Sequence, residues 1–470
     1  MALLTYPLAD KGDRPLYLYL YECVRDDIVN KKIAPGDKLP SKRVMAGHLN
    51  VSLNTVAAAY EMLATEGYII SNERSGYFAQ DVSDFAKRHA PRQKYENIEE
   101  NSREYFCDFK ANRQGVQHFP MDAWSRCMKQ ASLQGENVLV TVPYNGLLKL
   151  RTTIARHLKE SRDMDVSPAN IIIGAGTEYL YGRLLQLLGH DAVIAMEDPG
   201  YRKLAAISGS AGNECRYIPI DDKGLRVDML HESRANVVHV SPANHFPTGI
   251  TMPIARREEL FGWVNEAEDR YIIEDDYDSE FRFSGQLILP MYTKDVKQRV
   301  IYINTFSKTL VPSIRISFMV LPPALMERYV QTMNFYSCTV SSFEQYALAE
   351  FIEEGYFIRH INRTRKRLRE QHDCILRELK SCPLADIADI TEHNAGTHFL
   401  LSVRTEMSRQ QIAERAEEQD LNLSFYSDYT VFAQAGGVCE LVINYAGIDT
   451  EKIPEVVRRL CWVFETGKEI

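Results

Sequence analysis

The residues of this 470-residue chain with the clearest chemical potential surround one lysine, Lys308. Lys308 lies in the stretch 304–310 (NTFSKTL), and Arg315 follows seven residues later. A lysine amine forms an imine with an aldehyde, while hydroxyl groups and an arginine can bind an anion. Pyridoxal 5'-phosphate (PLP) carries both an aldehyde and a phosphate, and its sites are built on such a lysine. The spacing therefore predicts a PLP site with Lys308 as its catalytic residue.

PLP sites also place an acidic group beside the ring nitrogen, and Asp275 is the candidate for it. Asp275 lies in the run 272–278 (IIEDDYD), after an apolar stretch. A carboxylate in that place keeps the ring nitrogen protonated, so that the ring can accept electrons. The competing interpretation is a solvated carboxylate in an acidic run.

Six short, β-branched runs beyond residue 106 are the elements that could bring these residues together. Strands of this kind are buried on both faces and are typical of a mostly parallel sheet between layers of helices. Functional residues then lie at the carboxyl ends of the strands. The runs span residues 171–173, 192–195, 237–240, 271–273, 300–303 and 316–320.

Two loops that follow these runs supply further candidates. The turn 174–177 (GAGT) precedes a helical segment, and Gly176 and Thr177 could bind a phosphate through backbone N–H groups. Tyr201, at the end of 197–201 (EDPGY), could stack on a planar cofactor. A common glycine turn and a buried tyrosine are the alternatives. With the stretches 241–249 (SPANHFPTG), 274–277 and 305–308, these loops make five signals in chain order, each at a strand end, which favour the cofactor site.

The first 80 residues differ from the rest of the chain in charge and pattern. They hold nine Lys/Arg and nine Asp/Glu, so the net charge of −9 arises entirely beyond them. Helical periodicity over 15–31, with Leu16, Leu18 and Cys23 among its apolar positions, precedes shorter helices at 42–49 and 53–66. A hairpin over 68–79 follows. Three helices and a hairpin predict a winged helix-turn-helix that could bind DNA.

This segment resembles the GntR-type DNA-binding domain along its full length. The matching strings are 39–43 (LPSKR), 51–56 (VSLNTV), 59–67 (AYEMLATEG) and 76–78 (GYF). Leu53 departs from the pattern, because the family usually has an arginine there. The resemblance implies that exposed residues of the second helix, the third helix and the wing contact DNA; the candidates are Lys42, Arg43, Ser52, Asn54, Thr55 and Arg74.

Residues 110–465 resemble the fold type I PLP enzymes, which are similar to aspartate aminotransferase. Joined to a GntR-type segment, the chain resembles the MocR-type transcriptional regulators, and 274–282 (EDDYDSEFR) is characteristic of that group. The resemblance implies an aldimine on Lys308, with Asp275 on the ring nitrogen, Tyr277 on the ring hydroxyl and Tyr201 stacked on the ring. It places Gly176, Thr177, Ser307 and Arg315 on the phosphate, and Tyr144 on the phosphate of a neighbouring subunit.

Several positions depart from the aminotransferase pattern. Val442 stands where such enzymes commonly place the arginine that binds the substrate α-carboxylate. Phe246 replaces an asparagine that often contacts the ring hydroxyl, for which Asn244 or His245 could substitute. Arg202 and Lys203, beside Tyr201, could instead bind an acidic effector. The departures favour PLP binding without ordinary transamination.

The predicted fold is an N-terminal winged helix-turn-helix (1–79), a linker (80–103) and an aminotransferase-like α/β domain with a mostly parallel sheet and a small C-terminal α+β subdomain (104–470). The predicted function is a regulator that binds operator DNA and senses PLP or an aldimine of PLP with an amine or amino acid. The alternative is an active aminotransferase with an accessory DNA-binding domain. We expect a homodimer, no metal site and no membrane association. The nine scattered cysteines favour the cytoplasm.

Overall fold

The computed structural model describes residues 4–12, 14–72, 75–82, 103–110, 118–283, 288–393, 396–432 and 437–464. The chain divides into two compact units, Met1–Ser102 and Arg103–Ile470. Arg74 and most of the predicted linker, residues 83–102, lie outside the described residues. Within the described residues, no helix has the length and apolar character needed to cross a bilayer.

The first unit is a three-helix bundle with a hairpin. Its elements are α1 (Leu16–Val29), α2 (Lys42–Leu49), α3 (Leu53–Thr65), β1 (Ile69–Asn72) and β2 (Gly76–Ala79).

Serine caps decide where the second and third helices of this unit begin. The Ser41 hydroxyl accepts a hydrogen bond from the Val44 N–H at 3.3 Å, and the Ser52 hydroxyl accepts one from the Thr55 N–H at 3.0 Å. Each cap satisfies a backbone donor that has no partner inside its helix. The antiparallel hairpin of β1 and β2 then follows α3, which confirms the winged helix-turn-helix.

The second unit alternates strands with helices. Its strands are β3 (Cys107–Asp108), β4 (Ile171–Gly174), β5 (Val193–Asp198), β6 (Glu214–Asp221), β7 (Gly224–Leu225), β8 (Val237–Val240), β9 (Tyr271–Asp276), β10 (Val300–Thr305), β11 (Ser317–Val320), β12 (Ala388–Thr391), β13 (His398–Arg404), β14 (Leu421–Asn422) and β15 (Val438–Asn444). Its helices are α4 (Met121–Ser132), α5 (Leu148–Arg162), α6 (Thr177–Leu188), α7 (Arg202–Ser210), α8 (Val227–Glu232), α9 (Ile254–Val264), α10 (Phe306–Thr309), α11 (Pro323–Met333), α12 (Ser342–Glu353), α13 (Tyr356–Ser381), α14 (Arg409–Glu418) and α15 (Ile453–Val463).

The main sheet has the strand order β4-β11-β10-β9-β8-β5-β6-β7 among the described residues. β10, β9, β8, β5 and β6 pair in parallel, while β11 is antiparallel to both of its neighbours. Central strands are buried on both faces, as the β-branched runs predicted. β12, β13 and β15 form a separate antiparallel sheet.

The topology brings the candidate residues to one edge of the main sheet. Parallel strands end at the same edge, and ligands of such sheets bind beyond those carboxyl ends. Tyr201 follows β5, Asp275 lies near the end of β9, and Lys308 follows β10. Residues more than a hundred positions apart in the chain thereby become neighbours.

Candidate cofactor site and DNA-binding surface

A cavity of about 320 Å³ opens beyond the carboxyl ends of β5, β8, β9 and β10. Eight of the residues predicted for the cofactor or effector line it: Thr177, Tyr201, Arg202, Asp275, Tyr277, Ser307, Lys308 and Arg315. Four others are not among its lining residues: Gly176, which lies directly against Arg315, and Asn244, Lys203 and Tyr144.

Lys308 lies in α10, the short helix that begins directly after β10. The hydroxyl of Thr305 accepts a hydrogen bond from the Ser307 N–H at 3.1 Å and so holds the start of this turn. Burial lowers the pKa of the Lys308 amine, although the carboxylates of Asp278 and Asp275 act in the opposite direction. A lowered pKa favours the neutral amine, which is the nucleophile needed for an imine.

Asp275 has a buried neighbour that the sequence did not reveal. Nε2 of His239, on β8, lies 3.6 Å from a carboxylate oxygen of Asp275 and has no hydrogen-bond partner among the described residues. Both side chains line the cavity. A histidine in this place can orient the carboxylate that would face the ring nitrogen.

Asn244 is directed towards a carboxylate behind the cavity wall. Its Nδ2 donates to the two carboxylate oxygens of Asp278 at 2.8 and 3.0 Å and lies 3.4 Å from the Tyr277 hydroxyl. Burial raises the pKa of Asp278 to about 7, against the effects of Asn244 and Lys308. Asn244 therefore supports the segment that carries Tyr277, and its predicted contact with a ring hydroxyl stays a prediction.

The residues predicted for the phosphate form a cradle at the start of α6. Gly176 has a φ of 95°, and a Cβ at this position would collide with the guanidinium of Arg315. The Ser307 hydroxyl is buried without a hydrogen-bond partner among the described residues. The Thr177 hydroxyl lies 3.4 Å from that of Ser317. Backbone N–H groups, hydroxyls and an arginine fit the phosphate of PLP.

Tyr201 presents an aromatic surface at the cavity mouth. Its side chain is 50% exposed, and its ring meets Phe246 edge-on at 6.4 Å between centroids. Of the two predicted effector residues beside it, only Arg202 lines the cavity. Lys203 instead forms an ion pair of 2.5 Å with Glu178.

A buried carboxyl group that was not predicted as a site residue, Glu197, also lines the cavity. Its Oε2 accepts the Ser241 N–H at 3.0 Å and lies 3.6 Å from Nε2 of His245, while its Oε1 has no partner among the described residues. Burial raises the pKa of Glu197 to about 8, even though the Ser241 N–H opposes the shift. Its position at the end of β5 was the available signal.

The wall formed by β15 bears on the kind of ligand that can enter. Val442 is buried and lines the cavity, and β15 (VCELVIN) contains no cation. Tyr144 packs against Tyr329, with ring centroids 6.0 Å apart. Its predicted role in the site of a neighbouring subunit stays a prediction.

The predicted DNA contacts of the first unit lie on α2 and at the start of α3. Arg43, Ser52 and Asn54 are exposed, and the Lys42 ammonium lies 5.1 Å from the centroid of the Tyr77 ring. The Ser52 and Thr55 hydroxyls lie 2.8 Å apart and hydrogen-bond to each other. Ser52 therefore has a structural role as a cap, whatever it contacts besides.

The fold and the cavity define this chain as a helix-turn-helix protein that carries an aminotransferase-type domain. Residues 16–78 match the gntR family of bacterial regulatory proteins, and residues 110–460 match the aminotransferase class I and II family. The chain belongs to both families, in the combination found in MocR-type transcriptional regulators.

Three relatives that align with most of this chain are regulatory proteins. The chain is 35% identical to the uncharacterized HTH-type transcriptional regulator YdeL of Bacillus subtilis, covering 95% of this chain and 96% of that one. It is 30% identical to the probable rhizopine catabolism regulatory protein MocR of Rhizobium meliloti (96% and 94%). It is also 30% identical to the pyridoxine biosynthesis transcriptional regulator PdxR of Corynebacterium glutamicum (81% and 82%).

Solved structures show the same fold for the second unit. An archaeal alanine:glyoxylate aminotransferase superposes with a TM-score of 0.69 at 22% identity, covering 78% of this chain and 92% of that one. A multiple substrate aminotransferase from Thermococcus profundus superposes with a TM-score of 0.68 at 25% identity, with the same coverage. These likenesses confirm the predicted fold type I architecture.

A buried ionic network supports the segment that carries Asp275 and Tyr277. Arg162, at the end of α5, contacts Glu280 at 2.8 Å and lies 3.7 Å from Asp276. The Tyr302 hydroxyl donates to the same carboxylate of Asp276 at 2.6 Å. Removing one member of such a network leaves the others charged and unpaired in a buried place.

We expect Arg162→Ala to lower the free energy of unfolding of the second unit by about 3–5 kcal/mol, because two buried carboxylates lose their cation. Urea unfolding followed by tryptophan fluorescence measures this unit selectively, since Trp124, Trp263 and Trp462 all lie in it. Arg458→Ala is the charge-matched control: its pair with Glu455 is exposed, and its loss should cost less than about 1 kcal/mol. Equal effects of the two substitutions would contradict this role of the network.

Proposed function

We propose that this protein is a homodimeric, PLP-binding regulator of transcription. Residues 1–79 bind operator DNA, and residues 104–470 sense PLP or its condensation product with an amine or amino acid. The observation that carries the proposal is the convergence of Lys308, Asp275 and the cradle of Gly176 and Arg315 on one cavity, in a chain that also has a GntR domain.

Different residues of the cavity would contact different parts of PLP. Arg315, Ser307 and the start of α6 would hold the phosphate, and Tyr201 would cover one face of the ring. Asp275, which has the His239 ring 3.6 Å away, would hold a proton at the ring nitrogen. When bound, PLP supplies an aldehyde that condenses with amines and a ring that accepts electrons. The Lys308 amine, with its lowered pKa, is the group that competes with an incoming amine for that aldehyde.

An apolar surface near Tyr144 supports the homodimer. Four large apolar residues of this region are 61–75% exposed in the single chain: Leu133, Leu139, Val140 and Leu148. Several large apolar residues exposed within one short stretch of the chain, 133–148, favour a protein–protein interface. A second copy of the chain would bury them and place Tyr144 at the boundary between subunits.

Val442 favours sensing over catalysis. An active aminotransferase with an accessory DNA-binding domain remains the second candidate, because Lys308, Asp275 and Tyr277 are all present in the cavity. Binding of an α-carboxylate, however, would lack the bidentate arginine contact that Val442 cannot make. Charge-assisted hydrogen bonds contribute about 1.5–3 kcal/mol each, so amino acids should bind weakly.

Lys308→Ala should remove the covalent attachment of PLP without unfolding the protein. The unmodified chain, incubated with PLP, should turn yellow, and borohydride should fix a phosphopyridoxyl group on Lys308. Mass spectrometry of the digested protein locates the modified residue. Lys223→Ala, an exposed lysine outside the cavity, should retain the adduct. A reducible yellow adduct that persists in Lys308→Ala would show that another lysine holds the cofactor.

Common amino acids should change the spectrum of the PLP-loaded protein with little or no keto-acid product. The reason is the missing carboxylate contact at Val442, which weakens binding by roughly one to two decades per lost bond. Spectral titration and a steady-state keto-acid assay on the same samples test this. Turnover on the order of 1 per second or faster, as in dedicated enzymes, would favour the aminotransferase instead.

DNA binding should depend on the cations of the first unit and weaken with added salt. Lys42→Ala, Arg43→Ala and Arg74→Ala should each lower affinity, and each should reduce the salt slope by about one if the side chain meets a phosphate. Fluorescence anisotropy at several salt concentrations gives both quantities. Lys223→Ala again serves as the control. Unchanged affinity in the triple variant would exclude this surface.

A further inference from the structure

The exposed side of α3 has an unusual composition for a helix that enters DNA. From Leu53 to Thr65 its sequence is LNTVAAAYEMLAT, which contains no lysine, arginine or histidine. Glu61 is its one charged side chain. The cations that precede α3 most closely in the chain among Lys and Arg, Lys42 and Arg43, are on α2. α3 itself can therefore make no charged contact with phosphate or guanine.

Two side chains at the beginning of α3 are free to meet base edges. Leu53 is 45% exposed, although it is a large apolar residue. Asn54 is exposed, and its amide makes no hydrogen bond within the described residues. Ser52 and Thr55, by contrast, use their hydroxyls on each other and on the cap.

The next turn of this helix face is small, and the exposed Glu61 follows one turn later. Ala57 and Ala58 lie one turn beyond Leu53 and Asn54 and are partly exposed. The opposite face, with Val56, Ala59, Tyr60 and Leu63, is fully buried in the core of the unit. The orientation of α3 is thereby settled by packing, and Leu53 and Asn54 are the first side chains on its free face.

The chemistry of the major groove assigns these side chains to particular bases. Arginine and lysine bind O6 and N7 of guanine, whereas asparagine binds N6 and N7 of adenine through its two-sided amide. Apolar side chains contact the 5-methyl group of thymine. In helix-turn-helix proteins the N-terminal residues of the second helix of the motif, which is α3 in this unit, contact the bases.

Building on the proposed DNA-binding function, we propose that α3 reads A·T base pairs: Asn54 binds an adenine and Leu53 contacts a thymine methyl group. Ala57 and Ala58 let the helix approach the groove closely. Arg43 and Lys42 then supply sequence-independent attraction to phosphate from α2.

The test begins with selection of binding sites from a random double-stranded DNA library by the full-length, PLP-loaded protein. Each thymine of the selected site is then replaced in turn by uracil, which lacks only the methyl group. Each adenine is replaced by 7-deazaadenine, which lacks the N7 acceptor. We expect one uracil substitution per half-site to weaken binding about threefold to fivefold. One 7-deazaadenine substitution should weaken it roughly fivefold or more.

Two variants connect these losses to the two side chains. Leu53→Ala should bind the uracil and thymine sites equally, and Asn54→Ala should bind the 7-deazaadenine and adenine sites equally. Asn30→Ala, an exposed asparagine at the end of α1, should keep both preferences. Circular dichroism of each variant verifies that the first unit is folded.

The outcomes separate this inference from the function on which it rests. An enriched site whose binding is insensitive to every uracil and 7-deazaadenine substitution would overturn the inference and leave DNA binding intact. The inference would also be overturned, with DNA binding intact, if uracil and 7-deazaadenine weakened the binding of Leu53→Ala and Asn54→Ala as much as that of the unmodified protein. Failure to enrich any sequence would overturn the proposed operator binding and the inference with it.

Discussion

Desolvation of the Lys308 amine is the constraint around which the cavity is organised. Burial lowers the pKa of the amine, and nearby carboxylates limit that shift. A carboxylate too close would keep the lysine charged and unreactive, and one too distant would leave the ring nitrogen without a partner. The His239 ring lies 3.6 Å from Asp275, while Asp278 accepts hydrogen bonds from the Asn244 amide. Each acid near the lysine thus has a different neighbouring side chain.

The parallel sheet holds Lys308 and the nearby carboxylates at the distances that set the pKa of the lysine amine. Lys308 follows β10, and Asp275 lies near the end of the adjacent strand β9, with which β10 pairs in parallel. The ionic network of Arg162 fastens the segment beyond β9 to α5. Side chains on paired strands keep their distances from one another. The carboxylates therefore stay at the same distances from the Lys308 amine while ligands enter and leave.

The composition of the cavity is the reason for proposing a sensor and not an aminotransferase. The groups proposed to hold a phosphate and an aldehyde are present, whereas the wall of β15 offers Val442 in place of a cation. An amino acid in the cavity would therefore lack the bidentate carboxylate contact that an arginine could make. In the first unit, too, a cation is missing from the element that would contact the ligand. α3 carries no cation, and the cations proposed to attract DNA lie on α2.

Local patterns in the sequence determined most of the elements and the identity of the central site. The run 237–240 became β8 with the same bounds, and the serine caps placed α2 and α3, because periodicity and capping act within a few residues. In α1, however, the repeated LYLYLY pattern left the inward face ambiguous. Tyr19 and Ile28 of its periodic apolar set are buried, but Leu20, Tyr21 and Val24 are buried where that set had Leu16, Leu18 and Cys23, which are only partly buried. Only tertiary packing chose between those faces. His239, Glu197 and the orientation of Asn244 were likewise decided by neighbours distant in the chain, since a buried polar group gains its role from the partner that folding brings within a few ångströms.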